Sequence, residues 1–238
     1  MYRLFFTPTW FNGWDIVFEA VIFVIALLIA GYSYRIYRLN RENKYSYLSF
    51  AFLLISLGLL FKVVTSSILY FTPVRDAALI TLAPLVAGPK SGLQFADLFY
   101  RAGFFLQMAP ILAAWLLIFL VSQKSRQRLT KWYEVSQIAL FVYLIFLVSI
   151  IANFQYTVFY LTSVVILSLV VLNYYKNYLN RGKNHLTYLV MVAFALILTS
   201  NIFFIFVFAF DGFYFLGEVL LLAGFLLLLY VYRRVVRG

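Results

Sequence analysis

An all-α integral membrane protein, a single bundle of seven transmembrane helices, is the fold class that the sequence predicts. Three observations predict it. Of the 238 residues, 65% are hydrophobic and only 11% charged, against roughly 25% charged in a soluble domain. The mean hydropathy is +0.96. Apolar runs recur at the length of about 20 residues that a helix needs to cross bilayer hydrocarbon.

The runs place spans at 14–36, 47–71, 97–122, 132–153, 154–175, 186–210 and 213–232, all within one membrane domain covering 1–238. The first follows no basic region or small-residue cleavage site, so it reads as a retained signal anchor. The second begins after a basic loop. The third carries Gln107 and Pro110, a polar and kinkable midpoint. The fourth and fifth are divided only at Asn153, Phe154 and Gln155, because 44 continuous residues from 132 to 175 suit two crossings better than one. The sixth carries Thr199, Ser200 and Asn201, and the seventh runs into the basic tail. Between spans two and three, residues 72–95 hold Pro73, Pro84 and Pro89 around an apolar stretch too short to span, which reads as an interfacial anchor or a lid over the bundle.

The basic residues set the orientation. Arg35, Arg38, Arg41, Lys44, Lys124, Arg126, Arg128, Lys131, Lys176, Arg181, Lys183, Arg233, Arg234 and Arg237 fall on one side, and only Arg3, Arg75 and Lys90 on the other. The positive-inside rule then puts the N-terminus outside and the C-terminus in the cytoplasm of a multi-pass cell-membrane protein. The net charge of +11 is on this reading a topology signal with attraction to anionic headgroups, not a nucleic-acid surface. Trp10, Trp14, Tyr70, Trp132, Tyr133, Tyr174, Tyr175, Tyr230 and Tyr232 sit near span ends, where aromatic belts lie.

Two short patterns recur. Leu39-Asn40-Arg41 followed by Ser46-Tyr47-Leu48 matches Leu179-Asn180-Arg181 followed by Thr187-Tyr188-Leu189, and Ala102-Gly103-Phe104 matches Ala223-Gly224-Phe225. Spans one to three would then repeat as five to seven, 14–122 against 154–232, in a parallel 3+1+3 arrangement with span four as the linker. That layout resembles those of the SWEET-type and PQ-loop transporters and of the microbial rhodopsins. Spans one and five hold no proline and span seven no lysine, so the residues that define either family are absent and the chain is assigned to neither.

Charge inside the spans is the functional signal. Asp15 and Glu19 share one face of span one, Asp97 and Arg101 one face of span three, and Lys62 and Glu218 lie at comparable depth on spans two and seven. At 1.5 Å per residue, Glu19, Lys62, Arg101 and Glu218 fall roughly 8–14 Å into the bilayer, in one layer. Each charge costs on the order of 2.5–3.5 kcal/mol near a helix centre, which disfavours facing lipid. Two readings stand side by side. Glu19 and Glu218 pair with Lys62 and Arg101 to set helix register, or the layer lines an outward-opening cavity for a small cationic ligand or a proton, with Asp15, Asp97 and Asn201 as further ligands.

Enzyme readings lose their residues. There is no cysteine and one histidine, His185, in a basic loop, which removes thiolate and histidine metal sites, paired-histidine haem and Ser/His/Asp chemistry. No phosphate-binding glycine loop is present. The expectation is a non-enzymatic receptor-like or sensory module, without cofactor or metal, that signals through a membrane or cytoplasmic protein partner. The alternatives are a small secondary transporter or ion pathway and a structural subunit of a membrane complex.

Overall fold

The computed structural model describes residues 8, 10–11, 13–71, 73, 91–123, 156–180 and 184–237, without the side chains of 69, 70, 91–102 and 237. Every regular element among them is helical: α1 (Trp14–Asn40), α2 (Asn43–Tyr70), α3 (Ser91–Ser122), α4 (Tyr156–Asn180), α5 (His185–Ile205), a short 3-10 turn (Phe206–Phe208) and α6 (Gly212–Arg237). Among the described residues six helices are long and apolar enough to cross a membrane, and the protein is a multi-pass membrane protein. The expected span 132–153 and residues 72 and 74–90 of the loop 72–95 lie outside the described residues. α3 begins at Ser91, six residues before the span expected from hydropathy, because the polar first turns of a helix add nothing to an apolar run.

The helices form a closed ring. Each packs against its neighbours in sequence, α3 packs against α4, and α6 closes against α1. The sequence supports this with two-faced helices. On α2, Phe52, Ile55, Leu59, Lys62 and Ser66 are buried at alternating spacings of three and four, while Phe50, Leu53, Leu57, Leu60 and Val64 form the opposite, exposed stripe. On α1 the inner stripe is Asp15, Glu19, Ile22, Ala26, Ile29, Ser33 and Ile36. The exposed apolar stripes suit contact with lipid, so burial of polar groups rather than of hydrocarbon marks the interior.

Small residues let backbones approach. At Gly58 on α2 an added Cβ would stand 2.8 Å from the Gln107 carbonyl oxygen of α3, and at Gly224 on α6 it would stand 3.0 Å from the Ala193 carbonyl oxygen of α5. The Ser49 hydroxyl donates to the Ala30 carbonyl at 2.9 Å, joining α2 to α1. These contacts hold helices whose lipid-facing and inward-facing side chains are similarly apolar.

Side-chain contacts give the helix directions. The ring of Tyr178 lies beside that of Tyr188 and the ring of Tyr160 beside that of Phe204, so α4 and α5 are antiparallel. Phe104 lies 4.8 Å from Tyr156 at the start of α4, while at the far end Asn173 Nδ2 donates to Ser122 Oγ and Asn177 Nδ2 to the Ser122 carbonyl, at 3.0 and 3.1 Å. Hence α3 and α4 are adjacent and parallel. α1, α3, α4 and α6 run one way and α2 and α5 the other. At one end lie Asp15, Glu19, Lys62 and Glu218, all buried; at the other lie the exposed Arg35, Arg38, Arg41, Lys44, Lys176, Arg233 and Arg234.

Candidate functional site

The inner stripes of α1, α2 and α6 bring three charges to one point where the ring closes. Lys62 Nζ lies 2.5 Å from Glu19 Oε1 and 3.3 Å from Glu218 Oε1. Glu19 and Glu218 are fully buried and Lys62 is 5% exposed. Each comes from a different helix, and each occupies an inward position of a three-and-four pattern, so the backbone periodicity alone aims them at the ring interior. Both acids thus share one base, which leaves the described triad with one negative charge in excess when all three groups are ionised.

The end nearer the N-terminus is closed by aromatic rings. Phe11 packs edge-on against Phe215 at 5.2 Å, against Phe18 at 5.6 Å and against Tyr214 at 6.2 Å, and Trp10 lies 5.4 Å from Phe215. The rings of Phe204 and Tyr214 each stand 5.9 Å from Lys62 Nζ, within the range of a cation–π contact. Asp15 is buried one turn before Glu19, where it accepts the Gly13 backbone N–H at 2.9 Å. Gly13 itself adopts φ 91°, a left-handed conformation that suits glycine.

On the opposite side of the triad, toward the bundle middle, lies a cavity of about 50 Å³ lined by residues of five helices, among them Lys62, Gln107, Trp115, Tyr160, Asn201 and Phe225. Glu19 and Glu218 do not line it. Among the described residues the two acids are buried, and of the triad Lys62 alone lines this cavity. The aromatic rings of Phe11, Phe18, Tyr214 and Phe215 cluster at the same end of the bundle as the acids.

The other candidates separate. Asn201 lines the cavity, and its Nδ2 donates to the Ile197 carbonyl at 2.8 Å, one turn back on α5. Thr199 also bonds its own helix, at Ala195, and faces outward. Asp97 and Arg101 lie on α3, with side chains outside the described residues. His185 is exposed at the first turn of α5, at the basic end. Trp115 and Tyr160 are cavity residues that sequence reasoning passed over. Their signal was weak, because an aromatic at a helix-periodic position reads as core packing, and only the buried indole nitrogen of Trp115, which has no hydrogen-bond partner among the described residues, sets it apart.

In comparisons with known proteins, no family model, no curated protein and no solved structure matches this chain.

Proposed function

We propose that the protein is a non-enzymatic, receptor-like sensory membrane module whose sensing element is the Glu19–Lys62–Glu218 triad. A small cation or proton acts there, and the response passes to a protein partner at the basic end. The observation that carries this reading is the placement of a charge-imbalanced, buried triad on α1, α2 and α6, where α6 closes against α1. A change of charge at that seam alters the attraction between the helices that meet there, and those same helices end in Arg38 and Arg234 at the far side. The segregation of basic residues to that end supports an N-terminus outside and a C-terminus in the cytoplasm.

Seven crossings are supported by the parallel packing of α3 and α4. α3 ends where Asn173 and Asn177 lie, and α4 begins at the triad end. The intervening chain thus starts and finishes on opposite sides, as the expected span 132–153 requires.

Spin labels test the sensory reading, and the chain's lack of cysteine makes labelling at Arg38→Cys and Arg234→Cys specific. In lipid nanodiscs the distance between the labels is expected to shift with pH or with added monovalent cation, and the shift to vanish when Glu19 and Glu218 are both changed to Gln. A distance that ignores every condition would remove the reading.

The transporter alternative draws support from one relationship. The triplets α1–α3 and α4–α6 share the same up-down-up order and run parallel to one another, as a 3+1+3 repeat would. Ion flux in proteoliposomes that depends on Glu19 and Glu218 would favour it over sensing.

A further inference from the structure

We infer that the ligand of the triad is a single proton, held by the Glu19 and Glu218 carboxyl pair and exchanged through Lys62 with water in the adjoining cavity. The inference rests on the reading of the triad as the sensing element and names what that element takes.

Charge and space argue for it together. Of the three groups in contact, two acids and one base, each at least nine-tenths buried, carry one negative charge in excess, Asp15 adds a further buried acid beside them, and an uncompensated buried charge is costly. Either a proton or a metal cation would balance it. A metal cation needs several oxygen ligands around it, and the space between the two carboxylates is already filled by the Lys62 ammonium, in contact with both. A cation seated there would meet the ammonium at close range. A proton needs no such room, since it adds one O–H bond to one carboxylate oxygen.

The route follows from what is open. Phe11, Tyr214 and Phe215 cover the N-terminal side. The cavity lies on the other side, and about 50 Å³ holds a few water molecules where roughly 10–15 Å³ suffices for one. Most of its lining is apolar, and the polar groups that water there would meet are Lys62, the Gln107 and Asn201 amides and the Trp115 indole, whose N–H is a buried donor without a partner among the described residues. Lys62 touches both carboxylates and lines the cavity. It passes a proton to a carboxylate and becomes neutral, then takes a proton from a hydronium ion in the cavity, which leaves as water. Release runs the same two steps backward.

The groups that face the pair are Asp15 from α1, Lys62 from α2, Tyr160 from α4 and Tyr214 from α6. α5 packs Phe204 and Asn201 here, neither of which titrates. Asp97 and Arg101 on α3 enter through the test.

Infrared spectroscopy of the protein in nanodiscs at neutral pH, with sodium replaced by N-methylglucamine in a parallel sample, reads the carboxylic-acid C=O absorption directly. The wild type is expected to show an acid band that Glu19→Gln and Glu218→Gln each abolish, since either change leaves a neutral pair. Lys62→Met is expected to double it. Gln107→Leu is expected to slow the deuterium shift of the band in D2O. The proposal is overturned if the wild-type band matches that of both Gln variants, if it appears only when sodium is removed, or if it appears only in Arg101→Gln, which would make Arg101 the missing counter-charge. A deuterium shift unaffected by Gln107→Leu would overturn the route. If one Gln variant fails to fold, the other and the sodium comparison still decide. A band present without any spin-label response leaves proton binding standing and removes sensing; the reverse result removes the proton and keeps sensing.

Discussion

Lys62 Nζ stands 2.5 Å from Glu19 Oε1 and 3.3 Å from Glu218 Oε1, so one base on α2 serves acids from both the first and the last helix. Their roles are unequal. Removing Lys62 leaves two buried acids without a partner, while removing one acid leaves a matched pair. Lys62→Met is therefore expected to cost about 3–5 kcal/mol, the range for breaking a buried ion pair, and Glu19→Gln distinctly less. Unfolding in mild detergent with a denaturant series would measure both. The double variant should recover part of the loss, with a coupling of about 0.5–3 kcal/mol; strictly additive losses would show that the two groups do not act as a pair.

Gly58 and Gly31 give opposite expectations for the same substitution. Gly58 faces the Gln107 carbonyl and Ile111, and a Cβ would stand 2.6 Å from Ile111 Cγ1, whereas a Cβ at Gly31 would meet nothing within 4 Å. Gly58→Ala is expected to lower the unfolding temperature by forcing α2 from α3, at about 1–3 kcal/mol. Gly31→Ala should raise it slightly, with a gain in stability of about 0.5–1 kcal/mol, through the lower conformational entropy of alanine in the unfolded chain.

At the basic end Ser122 joins α3 to α4 by accepting from Asn173 at its hydroxyl and from Asn177 at its carbonyl. Interhelical hydrogen bonds in membranes average about 0.6 kcal/mol. Asn177→Leu should accordingly cost on that order, with faster amide exchange at the ends of α3 and α4 and no change near Glu218. Exchange that rises equally at both ends would argue against a local clasp.

Phe11 is 3% exposed and packs against Phe18, Tyr214 and Phe215. Phe11→Ala should open that cover at a cost of about 3–5 kcal/mol, and a water-soluble carbodiimide should then label Glu19 faster than in the wild type. Unchanged labelling would show that the rings do not limit access from this side.

Much of this protein could be read before its structure. Hydropathy alone determined a helical membrane protein, because a chain that crosses hydrocarbon must satisfy its backbone internally. The cost of a charge in hydrocarbon argued that Glu19, Lys62 and Glu218 avoid lipid, and all three are buried. The rise of a helix per residue put them at one common level, where they meet.

What the sequence by itself could not decide was which side chains meet. Within one helix, i and i+4 fix neighbours, but the partner across an interface depends on how the helices order and rotate in the ring, and apolar faces in lipid carry little information about that. Tertiary packing decided that both acids share Lys62, that the aromatic rings of Phe11, Tyr214 and Phe215 pack together at the same end of the bundle, and that this cavity lies beside the lysine, Gln107 and Trp115 and not the carboxylates. The physical reason is that close approach at Gly58 and Gly224 sets which helices touch and how near, and a charge's surroundings follow from that contact, not from its position in the chain.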